Sequence, residues 1–313
     1  MRNLGYDRGW RPVERAGVPV VSVGNLTLGG TGKTPMVEYL ARRGRALGLR
    51  VAILSRGYGQ SVGLNDEGRV LEENLPDVPH LQGRDRAGLA RAAVEELESE
   101  LLILDDGFQH RRLARDLDVV LLDALEPFGL GRVFPRGRLR EPVGSLRRAG
   151  VVVLAKGDLV TAGDRAAIRR RAERAAGPLA WAVARHAPLG LLVAGGPEEP
   201  VGSSRGKAAV AFCGIGNPEA FRRTVEGLGV RPVGFRAFPD HHVYDAADVA
   251  DLAAMARESG AEVALTTQKD SVKLRAVALG GVPLRAVRIG LEVIEGESTL
   301  LDAFARAAPG PAS

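Results

Sequence analysis

Lys33 and Thr34 close the run GNLTLGGTGKTP (24–35), and a Lys-Thr pair at the end of a glycine-rich stretch is chemistry for holding phosphate. Glycines at 29, 30 and 32 would let the backbone N–H groups of Gly29, Gly30, Thr31, Gly32, Lys33 and Thr34 turn inward on phosphate oxygens, since glycine tolerates the dihedrals this needs. Lys33 would reach the β and γ phosphates, and the Thr34 hydroxyl would ligate Mg²⁺. The strict pattern opens with glycine where this chain has Thr27; its second half, GGTGKT, is intact. A second set of candidates is Asp105 and Asp106 in LLILDDGFQH (101–110), at the end of an apolar run, where ligands collect in open α/β sheets. One of the two is expected to face the Mg²⁺ shell, because a carboxylate at that depth is costly without a cation or hydrogen-bond donors. The competing role for paired acids after a strand is a turn or helix cap. AKGD (155–158) and TQKD (267–270) approach the Asn/Thr-Lys-x-Asp signature of guanine-specific loops without matching it, which favours ATP over GTP.

Positioning such groups requires strands that end side by side. Apolar runs of strand length recur at 18–24, 50–57, 101–107, 118–124, 151–158 and 179–184, and their continuous apolarity says that both faces are covered. Helical periodicity fills 33–47, 84–99 and 163–176, so this part reads as a P-loop NTPase-type α/β fold, a mostly parallel sheet with helices on both faces. The cluster GGPEEPVGSSRG (195–206) is the best boundary, dividing a nucleotide-binding and catalytic domain, 1–194, from a smaller α/β domain, 195–313. In the smaller domain strands are expected near 208–216, 230–238 and 262–270, with helices near 217–228 and 245–259.

The 313 residues, 45% hydrophobic and 26% charged, are those of a globular protein with a real core. One cysteine, Cys213, forms no internal disulfide, and no signal-peptide pattern opens the chain, so an intracellular location is expected. No window is apolar for long enough to span a bilayer. The net charge of +5 and pI near 9.7 favour anionic partners, although an arginine-rich composition from a GC-rich genome produces the same excess. Nucleic acid is set aside: aromatics are 4%, with no aromatic-studded basic strand for bases to stack on.

Several segments, in order, resemble the tetraacyldisaccharide 4'-kinase (lipid A 4'-kinase) family. They are VPVVSVGNLTLGGTGKTP (18–35), ILSRGYG (53–59), DDGFQHRRLARDLDVVLLDA (105–124), GRLREP (137–142), FPDHHVY (238–244) and TTQKDSVKL (266–274), together reaching over most of the chain. The resemblance implies transfer of the γ-phosphoryl of ATP, with Mg²⁺, to the 4'-hydroxyl of a tetraacyl glucosamine disaccharide 1-phosphate, forming lipid IV-A. It also implies two α/β domains joined by a β-ribbon, a cleft between them as the active site, and a peripheral place on the cytoplasmic face of the inner membrane. The family's catalytic aspartate lies in a Gly-Asp-Glu-Pro segment. Here NDEG (65–68) keeps Asp66 and Glu67 but replaces the flanking residues by Asn65 and Gly68, and the loop from Gly59 to this segment is short. Asp66 is thereby the candidate base, Glu67 a further metal-side acid, and His241 or His242 the histidine that orients Asp66. Arg86, Gln109, His110, Arg140, Glu141, Lys269 and Asp270 match positions lining the cleft or contacting substrate.

Four acyl chains leave a bilayer only at ~0.8 kcal/mol per buried CH₂, so such an enzyme must come to the membrane. Tyr6, Trp10 and arginines 2, 8, 11 and 15 suit an interfacial anchor on the anionic surface; the alternative is an N-terminal extension packed on the domain. No obligate protein partner is evident. Rival readings are a P-loop kinase of another small substrate and a nucleotide-driven switch ATPase that docks on membranes or partners. A metal-delivering GTPase would need clustered Cys and His ligands, and the single cysteine speaks against it.

Overall fold

The computed structural model describes residues 2–57, 66–274 and 276–310. In chain order a short helix α1 (Arg2–Asp7) precedes β1 (Val20–Asn25), α2 (Lys33–Ala46), β2 (Val51–Ser55), α3 (Asp66–Asn74), β3 (His80–Gln82) and α4 (Arg86–Glu95). Then come β4 (Leu101–Asp105), β5 (Leu117–Asp123), β6 (Val151–Ala155), α5 (Ala162–Ala176) and β7 (Trp181–Leu192). The remainder is β8 (Ala208–Cys213), α6 (Pro218–Gly227), β9 (Arg231–Ala237), α7 (Ala246–Glu258), β10 (Val263–Thr267), α8 (Gln268–Leu274), β11 (Ala278–Leu279), β12 (Val282–Glu295) and α9 (Glu297–Ala307).

Two compact units result, Met1–His186 with Leu291–Ser313, and Ala187–Gly290. In the first, the strand order β3-β2-β4-β1-β5-β6-β7 is parallel throughout, as the unbroken apolar runs predict. β1 is wholly buried, and its neighbours β4 and β5 set the register that matters: Val23 lies opposite both Asp105 and Val119. Because the strands are parallel, the loop after Asn25 and the acid at the end of β4 leave the sheet at the same edge. α2 buries Met36, Val37, Leu40 and Ala41, spaced as one helical face, against the sheet. Full burial of side chains such as Met36 and Leu40 contributes about 1.5–3 kcal/mol each.

The second unit is a smaller parallel sheet, β12-β10-β8-β9, with β11 antiparallel on β12. Its helices begin well: Asn217 caps α6, and Asp245 and Asp248 form a reciprocal capping box on α7.

The expected division at 194/195 is corrected in two respects. The chain leaves the first unit at His186, inside β7, and it returns, since Leu291–Ser313 belongs to the first unit. β7 and β12 are thus the two strands that pass between the units, the β-ribbon of the family pattern. The Gly/Pro/Ser cluster marks an excursion instead: Leu191 and Glu199 pair as an isolated bridge, and Glu198 and Glu199 meet Arg288 and Arg285 of β12. The return is driven by burial. α9 places Leu300, Ala303 and Phe304 in the same core as Val21, Val119 and Val151.

Candidate active site

The loop after β1 is held before any ligand arrives. Asn25 Nδ2 donates to Thr31 Oγ1 at 2.9 Å, both groups buried, and from outside Leu28 N donates to the Arg138 carbonyl and Arg140 N to the Leu26 carbonyl. Gly32 caps α2 with φ +82°, a left-handed conformation, and offers no side-chain cap, so the first-turn N–H groups of α2 are available to an anion. A β-carbon at Gly32 would lie 2.4 Å from His186 Nε2, so the imidazole of β7 fills the place a side chain would take. At the base of the loop Gly24 is required for a different reason. A β-carbon there would sit 2.8 Å from the Phe108 backbone nitrogen, and this close approach seats the Gly-Phe-Gln turn that follows the paired acids.

The paired acids divide. Asp105 ends β4, while Asp106 turns the chain with φ +51°, a strained setting for a non-glycine residue that costs on the order of 1–3 kcal/mol. Asp106 is the hub of the site. Arg140 Nη1 donates to both its oxygens at 2.7 Å, Lys33 Nζ lies 3.6 Å from Oδ1, and Arg86 Nη1 donates to its backbone carbonyl at 3.0 Å. Burial works to raise its pKa, but the charges of Lys33 and Arg140, with Arg86, outweigh it and hold the carboxyl below its usual range. Asp106 therefore stays ionised and positions Lys33 over the loop.

A cavity of about 520 Å³ opens beside this hub, lined by Leu28, Arg56, Arg84, Arg86, Asp106, Gln109, His110 and Arg140. Four arginines against one carboxylate make it a receptor for anions. Gln109 is turned by its side-chain bond to the Asn25 carbonyl, and the His110 carbonyl accepts from Arg115. Glu141 does not line this cavity; it is buried and paired with Arg148 at 2.7 Å, and Arg148 in turn covers the Phe108 ring. A narrow adjoining space brings Gly68 and Leu71 of α3 together with Asp105, Asp106, Arg86 and His80. The first residues of α3 are Asp66 and Glu67, whose side chains lie outside the described residues, as does the chain from Tyr58 to Asn65.

Within the second unit, His242 Nε2 pairs with Asp248 at 2.7 Å and its ring stacks on Phe238 at 4.6 Å. His241, at φ +58°, exposes 71% of its side chain. Asp270 is fully buried, accepting from Gly214 N and the Thr267 hydroxyl, with Lys273 at 3.9 Å; Lys269 on α8 is half-buried. At the N-terminus Asp7 pairs with Arg111 at 2.7 Å and Arg111 also covers the Tyr6 ring, so α1 is packed on its unit while Trp10 stays exposed.

Sequence reasoning did not single out Arg56, Arg84, His80 or His186. Arg56 stands inside a segment that carries the family resemblance, and Arg84 next to Arg86, so proximity to those motifs was a signal. His186 has none, since only the fold sets β7 beside the loop. Lys156 of the AKGD stretch is committed to Asp123 in an ion pair.

A parallel sheet that delivers a glycine loop and its lysine onto a helix N-terminus, with an acid at the end of the adjacent strand, defines a P-loop nucleotide-binding protein. Within that class the chain belongs to the tetraacyldisaccharide-1-P 4'-kinase family, whose model matches residues 1–306. The tetraacyldisaccharide 4'-kinase of Anaeromyxobacter sp. (strain K) is 44% identical across 99% of this chain and 88% of its own length. That of Geobacter sulfurreducens is 38% identical across 94% of this chain and 86% of its own. Among solved structures, LpxK from Aquifex aeolicus in complex with ATP is similar with a TM-score of 0.73 and 31% identity, covering 98% of this chain and 94% of that one.

Proposed function

We propose that this protein is an ATP-dependent kinase that transfers the γ-phosphoryl group to the 4'-hydroxyl of a tetraacyl glucosamine disaccharide 1-phosphate, yielding lipid IV-A. The observation that carries the reading is Asp106, which gathers Lys33, Arg140 and Arg86 at the mouth of an arginine-lined cavity beside the glycine loop. That arrangement suits a triphosphate on the loop and an anionic acceptor next to it.

In this reading the backbone N–H groups from Gly29 to Thr34 hold the β and γ phosphates, and Lys33 offsets charge as it spreads over the transferring group. Thr34, Asp105 and Asp106, with Glu67 from α3, would hold Mg²⁺. The donor set is oxygen throughout, as a hard cation requires. Such a cation would complete its shell with phosphate and water, as Mg²⁺ usually does. When bound it supplies further neutralisation of phosphate charge.

Asp66 is the base. It accepts the proton of the 4'-hydroxyl as that oxygen forms its bond to the γ-phosphorus, and the bond from the γ-phosphorus to the β–γ bridging oxygen breaks with ADP as leaving group. Support comes from α3, whose Gly68 shares a narrow space with Asp105 and Asp106 two residues beyond the proposed base. His241 or His242 would orient Asp66, and of the two His242 already pairs with Asp248. Arg140 and Arg86 position Asp106, and Arg56, Arg84, Gln109 and His110 face the acceptor. Glu141 and Asp270 act by holding the frames around them. No helix among the described residues is long and apolar enough to cross a membrane. In this reading the enzyme works from the cytoplasmic face of the inner membrane as a peripheral protein, because its acceptor's acyl chains stay in the bilayer.

Radiolabelled ATP supplied with the tetraacyl disaccharide 1-phosphate or with soluble glucosamine tests this directly. Label is expected in the lipid acceptor alone. Labelling of glucosamine instead, or steady ATP hydrolysis without acceptor, would replace the lipid kinase by a sugar kinase or a switch ATPase.

A further inference from the structure

The segment between β5 and Arg140, Leu125 to Arg138, forms an ordered surface projection that exposes four large apolar side chains. Its foundations are buried: Ala124, Phe128 and Leu139 join one core, and Arg171 covers the Phe128 ring. Internal bonds from Arg138 N to the Gly129 carbonyl, Phe134 N to the Leu139 carbonyl and Arg136 N to the Val133 carbonyl fix its path. On that frame Leu130 is 76% exposed, Phe134 65%, Leu125 60% and Val133 39%. Large apolar side chains set outward on an ordered frame, and this close in sequence, mark a surface that something covers.

Charge selects the occupant. Arg132 and Arg136 are exposed between these side chains and meet no carboxylate among the described residues, while Glu126 is taken by Arg138. Leucine and phenylalanine interleaved with unpaired arginines match the boundary of an anionic bilayer, where acyl chains receive the apolar groups and phosphates the guanidinium groups. The place of the projection is the second observation. Leu28 of the phosphate loop donates to the Arg138 carbonyl at 2.8 Å and itself lines the arginine cavity, and Arg140, two residues on, holds Asp106.

We propose that the 125–138 projection inserts Leu130, Phe134 and their neighbours into the interfacial layer of an anionic membrane and so sets the arginine cavity against lipid headgroups. The inference rests on the lipid-kinase reading for its purpose, though not for its test. A bilayer contact here lets a disaccharide headgroup rise into the cavity while its acyl chains stay in the membrane.

The test uses the full chain and vesicles of phosphatidylglycerol mixed with phosphatidylethanolamine, with phosphatidylcholine vesicles as the neutral control. Leu130→Ser combined with Phe134→Ser should lower partition onto the anionic vesicles on the order of tenfold, and Arg132→Gln with Arg136→Gln should remove most of the difference between anionic and neutral vesicles. With acceptor embedded in vesicles the first pair should raise KM, while kcat on acceptor dispersed in detergent micelles stays unchanged. A fluorophore on Leu130→Cys, with the buried Cys213 shielded, should shift to the blue on addition of anionic vesicles. Unaltered partition of both pairs, or a label that stays in water, would overturn the proposal. So would loss of self-association on size exclusion with partition intact, which would give the surface to a second copy of the chain. Lack of transfer to micellar acceptor by the unmodified protein would sink the kinase reading and leave the vesicle measurements standing.

Discussion

Gly32→Ala tests whether the loop is shaped by its neighbour on β7 or only by its own glycines. Two costs are separable. An L-residue held at φ +82° in the left-handed region loses roughly 1–2 kcal/mol relative to glycine. The added methyl meets His186 Nε2 at 2.4 Å, an overpacking that costs about 1–3 kcal/mol unless the ring moves. The ring is half-buried, and burial, then the nearby Lys156 charge, hold its pKa below the usual histidine range. Together these give about 2–5 kcal/mol against the ATP-competent loop, a loss of roughly 30-fold or more in ATP affinity. Gly32→Ala with His186→Ala should recover the steric part and retain the conformational part, leaving a deficit of roughly 5- to 30-fold. Isothermal titration with ATP on the single and double variants reads both, and thermal melting checks that the fold is intact. A double variant no better than Gly32→Ala would refute the steric role of His186, and a Gly32→Ala protein that binds ATP normally would refute the proposed loop geometry.

Asp66→Ala should lose most of the transfer rate with ATP binding retained, and near-full transfer would remove it from the base role. Arg140→Gln deprives Asp106 of its two-oxygen partner and is expected to cost about 1.5–3 kcal/mol in stability, read by urea denaturation, with a greater fall in kcat than in ATP affinity; an unchanged midpoint would mean that the pair contributes nothing. Because the carboxyl of Asp106 is held low, its contribution is present above the unfolded pKa and is lost as pH falls through the folded one, so the Arg140→Gln deficit should shrink in acid. His80, whose Nε2 meets the Ser55 hydroxyl, is lowered by burial from 6.5 to about 4. The unfolded chain then takes up the proton first, so stability declines as pH drops from about 6.5 to about 4, by at most about 3 kcal/mol. His80→Asn should flatten that slope in melting curves, and an unaltered slope would assign the acid sensitivity elsewhere.

Local pattern alone determined much of this protein. Continuous apolar runs separated by helical periodicity placed β1, β4, β5, β6 and α2 within a few residues, because burial on both faces leaves no alternation to misread. The glycine loop and the paired acids were legible for the same reason, since backbone freedom and a strand-end carboxylate are properties of a short stretch. What only the tertiary structure decided is which distant groups meet. Arg140 reaches Asp106 across 34 residues, His186 fills the space at Gly32, and α9 returns to cover β1, β5 and β6. The crossing between units also eluded the sequence, because it lies inside β7, where the strand runs on past Arg185 and His186 beside β12 with no loop to mark the change. Parallel register carries strand ends to one edge, but the order of the crossovers chooses the neighbours, and that order is set by summed burial over the whole sheet and by no single segment of it.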